Sequence, residues 1–525
     1  MKREKEGGSG SSRSFRTGRA GRYKNGTGPG QKTERGRALK DEREVVLLAL
    51  LSLEKNDTFS NVLVKRTLDD CADLRMEERA FIKRLLEGVI ERRTELDDRI
   101  QQYTGKSVQR LHPAVRQALR MGIYQILYMD AVPDSAACNE SVRLAKKHGP
   151  ARLSGLVNGV LRSAARDAAS GKDADRAKRA DQPGTAGEKA SGSGGSADDP
   201  DCGERGSSPV KAHDQPETED WIRDRSIRFS TPDWLVRMWE KQLGREETQA
   251  LLAALMEIRP VPIRLRGGLS AEEKVQLLEL LRNTGVQVEA GRWLPDALQL
   301  RRTSDLRRLP GFAEGKWTVQ DESSMLAVAA AGLRGGETVY DVCAAPGGKS
   351  FFAAELAAPG PVHAFDLSRR KTDRIREGAA RMGLSNLVIE ERDARLFYPA
   401  EEGAADVVLC DLPCSGLGVI GKKRDIKYRA SLEGISSLQT LQREILSSAA
   451  HYVKKGGILL YTTCSISRAE NEDNAAWIAG ELGLEPEDLA PYLPAGIPGI
   501  RGNILQLLPH VHGTDGFFIA RFCKN

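Results

Sequence analysis

Apolar residues recur at every third or fourth position through the first third of the chain, from residue 38 to 166. The stretches EREVVLLALLSLEK and HPAVRQALRMGIYQILYM show this spacing most clearly, and it predicts amphipathic helices. Pro113 stands near the start of one of them, where a helix tolerates proline. Because no strand-like alternation interrupts these stretches, residues 38–166 are predicted to form an all-α bundle.

The pattern changes after a stretch that is poor in large apolar residues. Residues 167–218 contain no Phe, Trp or Tyr and are rich in Gly, Ser and Asp, which is typical of a flexible linker. Residues 219–316 mix helical stretches such as TPDWLVRMWEKQLG with short strand-like runs such as VPIRLR. This mixture indicates a small α+β domain.

From residue 317 to 525, short apolar runs alternate with helical stretches, as in ETVYDVCA followed by FFAAELA. Apolar strands joined by helices predict a parallel sheet covered on both faces, which is an α/β fold of the Rossmann-like kind. Such sheets bind ligands at the carboxyl ends of their strands, so functional side chains are expected there.

The composition also indicates a basic tail at the start of the chain. The first 40 residues hold twelve Lys or Arg and three Glu, and the whole chain has a net charge of +6. Residues 1–37 are too poor in apolar groups to order themselves, and this disordered tail is either an RNA-attracting arm or a solubilising extension. Eight scattered cysteines, and the lack of a secretory or membrane segment, indicate a cytoplasmic protein without a membrane partner. The cysteine and histidine spacing predicts no metal site.

The first strand of the predicted sheet runs into a glycine-rich turn, DVCAAPGGKS (residues 341–350). This turn matches neither the dinucleotide-binding nor the phosphate-binding glycine pattern, but the next three strands end in Asp366, Asp393 and Asp411. Asp366 suits the hydroxyls of a ribose and Asp393 an adenine amine, whereas a pyrophosphate would sit badly beside extra carboxylates. The predicted cofactor is therefore S-adenosylmethionine rather than NAD.

Two cysteines stand at the ends of two strands, Cys414 in DLPCSG and Cys464 in YTTCSIS. A thiolate that attacks C6 of a cytosine makes C5 nucleophilic enough to accept a methyl group, so covalent catalysis divides one hard step into easier ones. Asp411 is placed to stabilise the ring protonated at N3. Cys343 and Cys410 are interpreted as core residues, although Cys343 could contact the cofactor through its backbone.

These motifs resemble those of the RNA cytosine-C5 methyltransferases. AAPGGKS, DLPCSG and YTTCSIS are preceded by VQDESS and followed by ENEDN and DGFF. The resemblance implies that Cys464 is the nucleophile and that Cys414 assists product release. It also implies a class I methyltransferase fold, with cofactor contacts from Cys343, Ala344, Ala345, Pro346, Gly347, Gly348, Lys349, Asp366, Asp393 and Asp411.

Residues 38–166, with RMGIYQILYMDAVPDSAACNESVRLAKKHG, look like a NusB-type RNA-binding domain. A NusB-like domain joined to such a methyltransferase is the arrangement of the RsmB (Sun/Fmu) family, which implies methylation of a single cytosine in 16S rRNA. RNA is the expected partner, DNA is not, and the protein is expected to be a monomer. Methylation of tRNA or another RNA, or a non-catalytic role as an RNA-binding factor, are the alternatives.

The chain departs from this family after the first thiol. The family shows R-R-x-P-D-I-[KR]-W, whereas residues 421–429 read GKKRDIKYR, so that Arg424 replaces the proline and Tyr428 the tryptophan. The positive charge kept in this loop predicts a contact with the RNA backbone. The resemblance does not cover residues 1–37 or 167–218.

Overall fold

The computed structural model describes residues 41–56, 59–170, 216–303 and 305–525. The helices are α1 (Glu42–Lys55), α2 (Ser60–Asp69), α3 (Met76–Glu91), α4 (Arg93–Thr104), α5 (Pro113–Tyr128), α6 (Asp134–His148), α7 (Ser154–Ala169), α8 (Pro216–Arg228), α9 (Asp233–Leu243), α10 (Arg245–Met256), α11 (Ala271–Asn283), α12 (Glu322–Ala329), α13 (Gly348–Ala357), α14 (Arg369–Met382), α15 (Ile426–Arg429), α16 (Leu432–Tyr452), α17 (Glu472–Glu481) and α18 (Pro509–His512). The strands are β1 (Val261–Leu265), β2 (Gln287–Ala290), β3 (Ala297–Arg301), β4 (Trp317–Val319), β5 (Val339–Asp341), β6 (Val362–Asp366), β7 (Leu387–Glu391), β8 (Ala405–Asp411), β9 (Val453–Thr463), β10 (Leu484–Pro486), β11 (Ile500–Arg501), β12 (Ile504–Leu507) and β13 (Phe517–Lys524).

The predicted tail and most of the predicted linker lie outside the described residues. Helix α7 continues to Ala169 and α8 begins at Pro216, so the described structure reaches into both ends of the linker range. The domain boundaries drawn from the sequence therefore stay predictions. Within the described ranges, no helix is both long and apolar enough to cross a membrane.

Helices α1 to α7 form the predicted all-α bundle around one apolar core. Val46, Leu85, Leu119 and Leu161 from four different helices are among its buried residues. Pro113 occupies the first position of α5, as predicted. The apolar spacing of three and four residues thus gives each helix a stripe that packs on its neighbours.

A four-stranded antiparallel sheet in the order β2-β3-β1-β4 forms the second unit. Its core includes Ile263 on β1, Leu300 on β3 and Trp317 on β4, with Leu277 of α11 packed against them. The predicted mixture of helices and short strands is present. Strand β4 lies beyond the boundary drawn at residue 316, because its backbone pairs with the open edge of β1.

The third unit is built on a sheet in the order β11-β12-β13-β9-β8-β5-β6-β7, with β10 paired to β13. Strands β5 to β9 run parallel, as predicted from the alternation of strands and helices. The last strands pair antiparallel, so the sheet is mixed rather than parallel throughout. The short connection between β12 and β13 suits an antiparallel pair, since parallel neighbours need a longer crossover.

Helices α8 to α10 support the segments that follow the two cysteines. Leu235, Trp239 and Leu252 pack with Leu417, which follows Cys414, and with Ile466, which follows Cys464. Trp239 Nε1 also donates a hydrogen bond to Ile466 O at 3.0 Å. Both cysteine segments therefore rest on the same apolar helical layer.

Residues 421–429, here called the bridging loop, connect the large sheet to the helical bundle. Asp425 is 4% exposed and accepts hydrogen bonds from Ser60 N at 2.8 Å and Ser60 Oγ at 2.5 Å, at the start of α2. Tyr428 OH lies 3.0 Å from Glu91 O at the end of α3. The loop thus docks onto two helices of the bundle.

Two cations of the bridging loop are turned toward the protein. Arg424 forms an ion pair with Glu91, and Lys427 is 1% exposed, with its Nζ at 3.5 Å from Phe229 O. Lys427 is therefore too buried to reach an RNA backbone, whereas Lys422, Lys423 and Arg429 are exposed, so the contact of this loop with RNA stays a prediction. The local sequence of the loop does not show which other segments its side chains contact. The partners of these side chains could therefore not be predicted.

We expect Asp425→Ala to loosen the attachment of the bundle. The substitution leaves a buried backbone N–H and a hydroxyl of Ser60 without their acceptor, which costs about 1–3 kcal/mol of the free energy of unfolding. Urea denaturation would measure this loss. The control is Asp130→Ala, which removes an exposed aspartate of the same bundle; equal midpoints for the two variants would contradict the expectation.

Candidate active site

The carboxyl ends of β5, β6, β8 and β9 lie at one edge of the large sheet, because these strands are parallel neighbours. Asp341, Asp366 and Asp411 are the last residues of β5, β6 and β8, and Cys464 follows directly after β9. This edge collects most of the side chains singled out from the sequence. It is also the edge at which sheets of this kind bind ligands.

The glycine-rich turn between β5 and α13 is held by backbone hydrogen bonds. Gly347 N donates to Ala344 O at 2.7 Å, and Ala344 N donates to Phe365 O at 2.8 Å. At Gly347 φ is +108°, and a Cβ there would lie 2.4 Å from the ring of Phe351, so the position requires glycine. The turn leaves room for a ligand to approach the main chain.

Asp366 is tied to this turn, whereas Asp393 is tied to its own loop. Asp366 Oδ2 accepts a hydrogen bond from Ala345 N at 3.2 Å, and its Oδ1 lies 3.0 Å from Lys371 Nζ. Arg395 donates to both carboxylate oxygens of Asp393, which lowers the pKa of that carboxyl. Both carboxylates are therefore oriented by neighbours, and their predicted contacts with a ribose and an adenine stay predictions.

A cleft with about 520 Å³ of empty space lies against the glycine-rich turn. Its lining consists of Val319, Gln320, Asp321, Ser324, Asp341, Ala344, Ala345, Pro346, Gly348, Lys349 and Asp411. The first four come from the segment around β4, to which the sequence analysis gave no role beyond the VQDESS motif. Nothing in the local sequence shows that this segment folds back over the cleft.

Asp341 is a second group at this cleft that sequence reasoning left without a role. Burial raises its pKa to about 7, and the charge of Asp411 adds to the shift, although Ser350 Oγ donates to Asp341 Oδ2 at 2.6 Å. The signal that could have identified it is its place at the end of the first parallel strand, directly before the turn.

Lys349 connects the glycine-rich turn to the end of β8. Its Nζ donates to Asp411 Oδ2 at 2.6 Å, and Asp411 Oδ1 accepts from Thr462 Oγ1 at 3.0 Å. Burial lowers the pKa of Lys349, but the charge and hydrogen bond of Asp411, together with the charges of Asp341 and Cys464, outweigh burial and raise the pKa. The ammonium group is therefore kept charged beside the carboxylate.

The two predicted thiols are direct neighbours. Cys414 Sγ lies 3.3 Å from Cys464 Sγ, and both side chains are half-buried. The hydrogen bond from Cys414 lowers the pKa of Cys464 against the effect of burial, and the charges of Lys349 and Lys423 act in the same direction. The same hydrogen bond, together with burial, raises the pKa of Cys414. Cys464 is thus the sulfur that more readily becomes a nucleophilic thiolate.

A buried carboxylate joins the turns that carry the two thiols. Glu470 is 0% exposed, and it accepts from Ser415 N at 2.7 Å and from Ser465 Oγ at 2.6 Å. Ser415 follows Cys414, and Ser465 follows Cys464. One side chain therefore holds both turns together, although the sequence analysis treated ENEDN only as a motif and gave Glu470 no role.

The segment after Cys414 also packs on its neighbours through the backbone. Gly418 N donates to Cys464 O at 3.0 Å, and Gly516 N donates to Gly418 O at 2.9 Å. A Cβ on Gly418 would lie 1.8 Å from Gly516 O, so this close approach of two backbones requires glycine. The two cysteine turns and the start of β13 consequently form one packed unit.

Lys422 of the bridging loop lies between two carboxylates, with Nζ 2.6 Å from Asp321 Oδ2 and 2.7 Å from Asp515 Oδ2. Burial by itself raises the pKa of Asp321, but the charge and hydrogen bond of Lys422 hold it at about 2. Burial, with the charge of Asp321, raises the pKa of Asp515 to about 7. The VQDESS and DGFF motifs thus meet at a lysine of the loop that is predicted to contact RNA.

Comparisons with protein families assign a model to each of the three units. Residues 329–523 match the family described as 16S rRNA methyltransferase RsmB/F. Residues 40–166 match the NusB family, and residues 231–307 match the ferredoxin-like domain of the RsmF/B-like methyltransferases.

Whole-chain comparisons find relatives that extend across all three units. The chain is 34% identical over 92% of its length to a Bacillus subtilis protein named "Probable ribosomal RNA small subunit methyltransferase B", of which 98% is covered. It is 33% identical to the "Ribosomal RNA small subunit methyltransferase B" of Pseudomonas syringae pv. tomato, over 78% of this chain and 81% of that protein. The crystal structure of a protein named PH0851 has the same fold, with a TM-score of 0.69 at 24% identity, over 92% of this chain and 99% of that one.

The thiol pair leads to a prediction about reactivity. Cys414→Ala removes the hydrogen bond that lowers the pKa of Cys464, so the thiolate fraction at neutral pH should fall. Alkylation of Cys464 by iodoacetamide, followed by peptide mass spectrometry, should become slower at neutral pH, and its pH profile should move to higher pH. Cys414→Ser is the matched control, because its hydroxyl can still donate and should keep the profile close to that of the native protein. An unshifted profile in Cys414→Ala would refute this assignment.

Proposed function

This chain belongs to the family of ribosomal RNA small subunit methyltransferases B, and from that premise we propose that it methylates C5 of one cytosine in 16S rRNA through a covalent bond to Cys464. As a member of that family it is an RNA methyltransferase that depends on S-adenosylmethionine. The observation that carries the proposal is the pair of thiols, 3.3 Å apart, beside the Lys349–Asp411 ion pair. A structural cysteine pair would not need these charges around it.

The residues at the cleft fit the cofactor. The turn at residues 343–349 lets a ligand lie close to the main chain, and Asp366 and Asp393 offer carboxylate oxygens at the ends of the neighbouring strands. Asp411, on the next strand end, completes the set that would hold the methyl donor. When bound, S-adenosylmethionine supplies an electrophilic methyl group.

Cys464 would begin the reaction on the base. Its thiolate attacks C6, the new C–S bond forms as the C5–C6 double bond opens, and C5 becomes an enamine-like carbon that can take a methyl group. Asp411 would accept a hydrogen bond from the ring at N3, and Lys349 keeps that carboxylate in position. After methylation a base removes the C5 proton, the C5–C6 double bond re-forms, and the Cys464 sulfur leaves C6.

Cys414 would serve the release of the product. Its raised pKa keeps its proton in place before the attack, so it donates to the Cys464 thiolate. Once the Cys464 sulfur is bonded to carbon, it carries no charge, and the hydrogen bond that held the proton on Cys414 is lost. The thiol then lies where it can assist the elimination from C6.

RNA binding would involve the NusB-like bundle, whose family model matches residues 40–166. We propose 16S rRNA as the substrate, since the curated relatives carry the name of small subunit rRNA methyltransferases. A monomer in the cytoplasm stays our proposal for the active form.

Two cysteine variants test the chemistry. Cys464→Ala should reduce methyl transfer from labelled S-adenosylmethionine to background, because the substitution removes the thiolate that adds to C6. Cys414→Ala should accumulate a covalent RNA adduct, seen as a slow band on a denaturing gel. Cys523→Ala, which removes a half-buried thiol on β13, is the control and should behave as the native protein does. A fully active Cys464→Ala variant would refute the assigned roles.

The RNA target needs a separate experiment. Bisulfite sequencing of total RNA from a deletion strain should show one 16S rRNA cytosine that loses its 5-methyl mark and regains it on complementation. If 16S rRNA is unchanged in the deletion strain and a tRNA loses a 5-methyl mark, then tRNA is the substrate instead of rRNA. The proposed chemistry would still hold.

A further inference from the structure

A cavity with about 540 Å³ of empty space lies between the helical bundle and the bridging loop. Volumes of about 300–1,000 Å³ are usual for ligand pockets. Helices α1, α3, α4 and α5 form one side of the cavity, and residues 425, 428 and 429 of the bridging loop form the other. This junction cavity shares no lining residue with the cleft beside the glycine-rich turn, so it is a separate place for a ligand.

Gln117 brings a buried acceptor without a partner to the junction cavity. The residue is 2% exposed, and its Nε2 donates to Glu54 Oε1 at 2.6 Å. Glu54 is also the acceptor for Arg116 and Arg120, so the amide NH₂ must be the group that faces it. The other amide atom, Gln117 Oε1, is buried and has no hydrogen-bond partner in the part of the chain that the structure describes. Because buried polar atoms are nearly always satisfied, this oxygen indicates a ligand that carries an N–H or O–H donor.

Arg93, the first residue of α4, is an exposed cation that also lines the junction cavity. Its guanidinium group makes no hydrogen bond or ion pair with any residue of the described ranges. Arg120 lines the same cavity but is paired with Asp97 and Glu54. The charge of Arg93 is therefore not balanced by a neighbouring carboxylate, and it favours a ligand that brings a negative charge.

The remaining surface of the junction cavity suits a flat ring. Its wall contains the apolar side chains of Leu50, Leu53, Val89 and Ile90. On the side of the bridging loop, the Arg93 guanidinium lies over the ring of Tyr428 at 4.6 Å, and that of Arg429 lies over the ring of Phe59 at 4.3 Å. Unpaired RNA bases stack on aromatic rings and on guanidinium planes. The cavity thus combines a surface for a heterocycle with an open acceptor and an unbalanced cation.

We propose that the junction cavity binds one unpaired nucleotide of the RNA, whose base donates a hydrogen bond to Gln117 Oε1 while its phosphate lies beside Arg93. Each of the four RNA bases carries an N–H donor, which base pairing would occupy, so the nucleotide must be unpaired. The inference rests on the proposed function in that the substrate is RNA, and it adds a second nucleotide site to the one at Cys464. Since Lys422 of the same loop pairs with Asp321 beside the cofactor cleft, this nucleotide would contact the loop that reaches the catalytic edge.

The test compares two RNA strands, each about twelve nucleotides long, on the full chain without cofactor. One strand has bases of mixed sequence, and the other carries abasic sites in place of the bases and therefore offers the same phosphates alone. Gln117→Met removes the acceptor. By fluorescence anisotropy, this variant should bind the strand with bases about tenfold more weakly, while its affinity for the abasic strand should stay within about twofold of the native value.

Three further variants complete the experiment. Arg93→Met removes the cation, so it should weaken the binding of both strands and reduce the slope of log affinity against log salt concentration by about 0.7. Arg93→Lys keeps the charge and should restore the native slope. Because Arg93 is exposed, these two variants keep the test valid if Gln117→Met does not fold. Gln102→Met is the matched control, since it removes an exposed glutamine of the same bundle that also donates to a carboxylate, and it should alter neither affinity.

Three results would overturn the proposal. They are unchanged binding of the strand with bases by Gln117→Met, an equal loss for both strands in that variant, and a native protein that binds neither strand. The measurement involves no methyl transfer, so a failure of the methylation experiments would leave its outcome standing. Conversely, equal behaviour of the two strands would leave the assigned role of Cys464 untouched.

Discussion

A single buried carboxylate determines how the two thiols face each other. Glu470 has no exposed surface, and a charge in such a place is stable only when hydrogen bonds satisfy its oxygens. The donors come from Ser415 and Ser465, next to the two cysteines, and from Gln442 at 3.4 Å. Because the turns share this acceptor, neither can move without leaving a buried charge unsatisfied. The contact between the sulfurs, and the pKa difference that follows from it, depend on this arrangement.

The helices and the small sheet that precede the large sheet also restrain the turns that carry Cys414 and Cys464. Helices α8 to α10 pack under Leu417 and Ile466, and the bridging loop is held by Lys422 near its start and by Asp425 in its middle. The four-stranded sheet adds the buried ion pair of Arg264 with Glu355, which joins β1 to α13. A buried ion pair of this kind contributes mainly when its geometry and hydrogen bonds are complete, so it fixes a position more than it adds stability. The active-site edge is consequently assembled from all three units.

Local sequence patterns were sufficient to predict those parts of the fold that depend on residues close together in the chain. The spacing of apolar residues predicted the bundle and the parallel strands β5 to β9, and the proximity of Cys414 and Cys464 followed from β8 and β9 being adjacent. The antiparallel strands at the end of the chain and the inclusion of β4 in the second sheet depend on pairing between distant segments. Pairing between distant segments produces no periodic pattern of apolar residues from which it could be predicted.

The same limit applies to the side chains of the site. Glu470 and Lys422 each stand in a motif quoted from the sequence, yet the role of each is visible only through partners far away in the chain. Lys422 shows the consequence most clearly, since a lysine in a basic loop is expected to meet a phosphate until its two carboxylate partners are known. The roles of Asp366 and Asp393 toward the cofactor, and of the two thiols toward RNA, stay predictions.

The charges around the cleft are largely paired within the protein. Asp321 is paired with Lys422, Asp411 with Lys349, and Asp366 with Lys371. These pairs leave little net charge at the cleft, so a ligand is selected there by the geometry of hydrogen bonds rather than by attraction to a bare cation or anion. Among the described residues that line the cleft, Lys349 is the cation and is already paired with Asp411, so the clustered positive charge that a phosphate favours is missing there. The pairing of these acids with lysines thereby favours S-adenosylmethionine over a phosphorylated nucleotide.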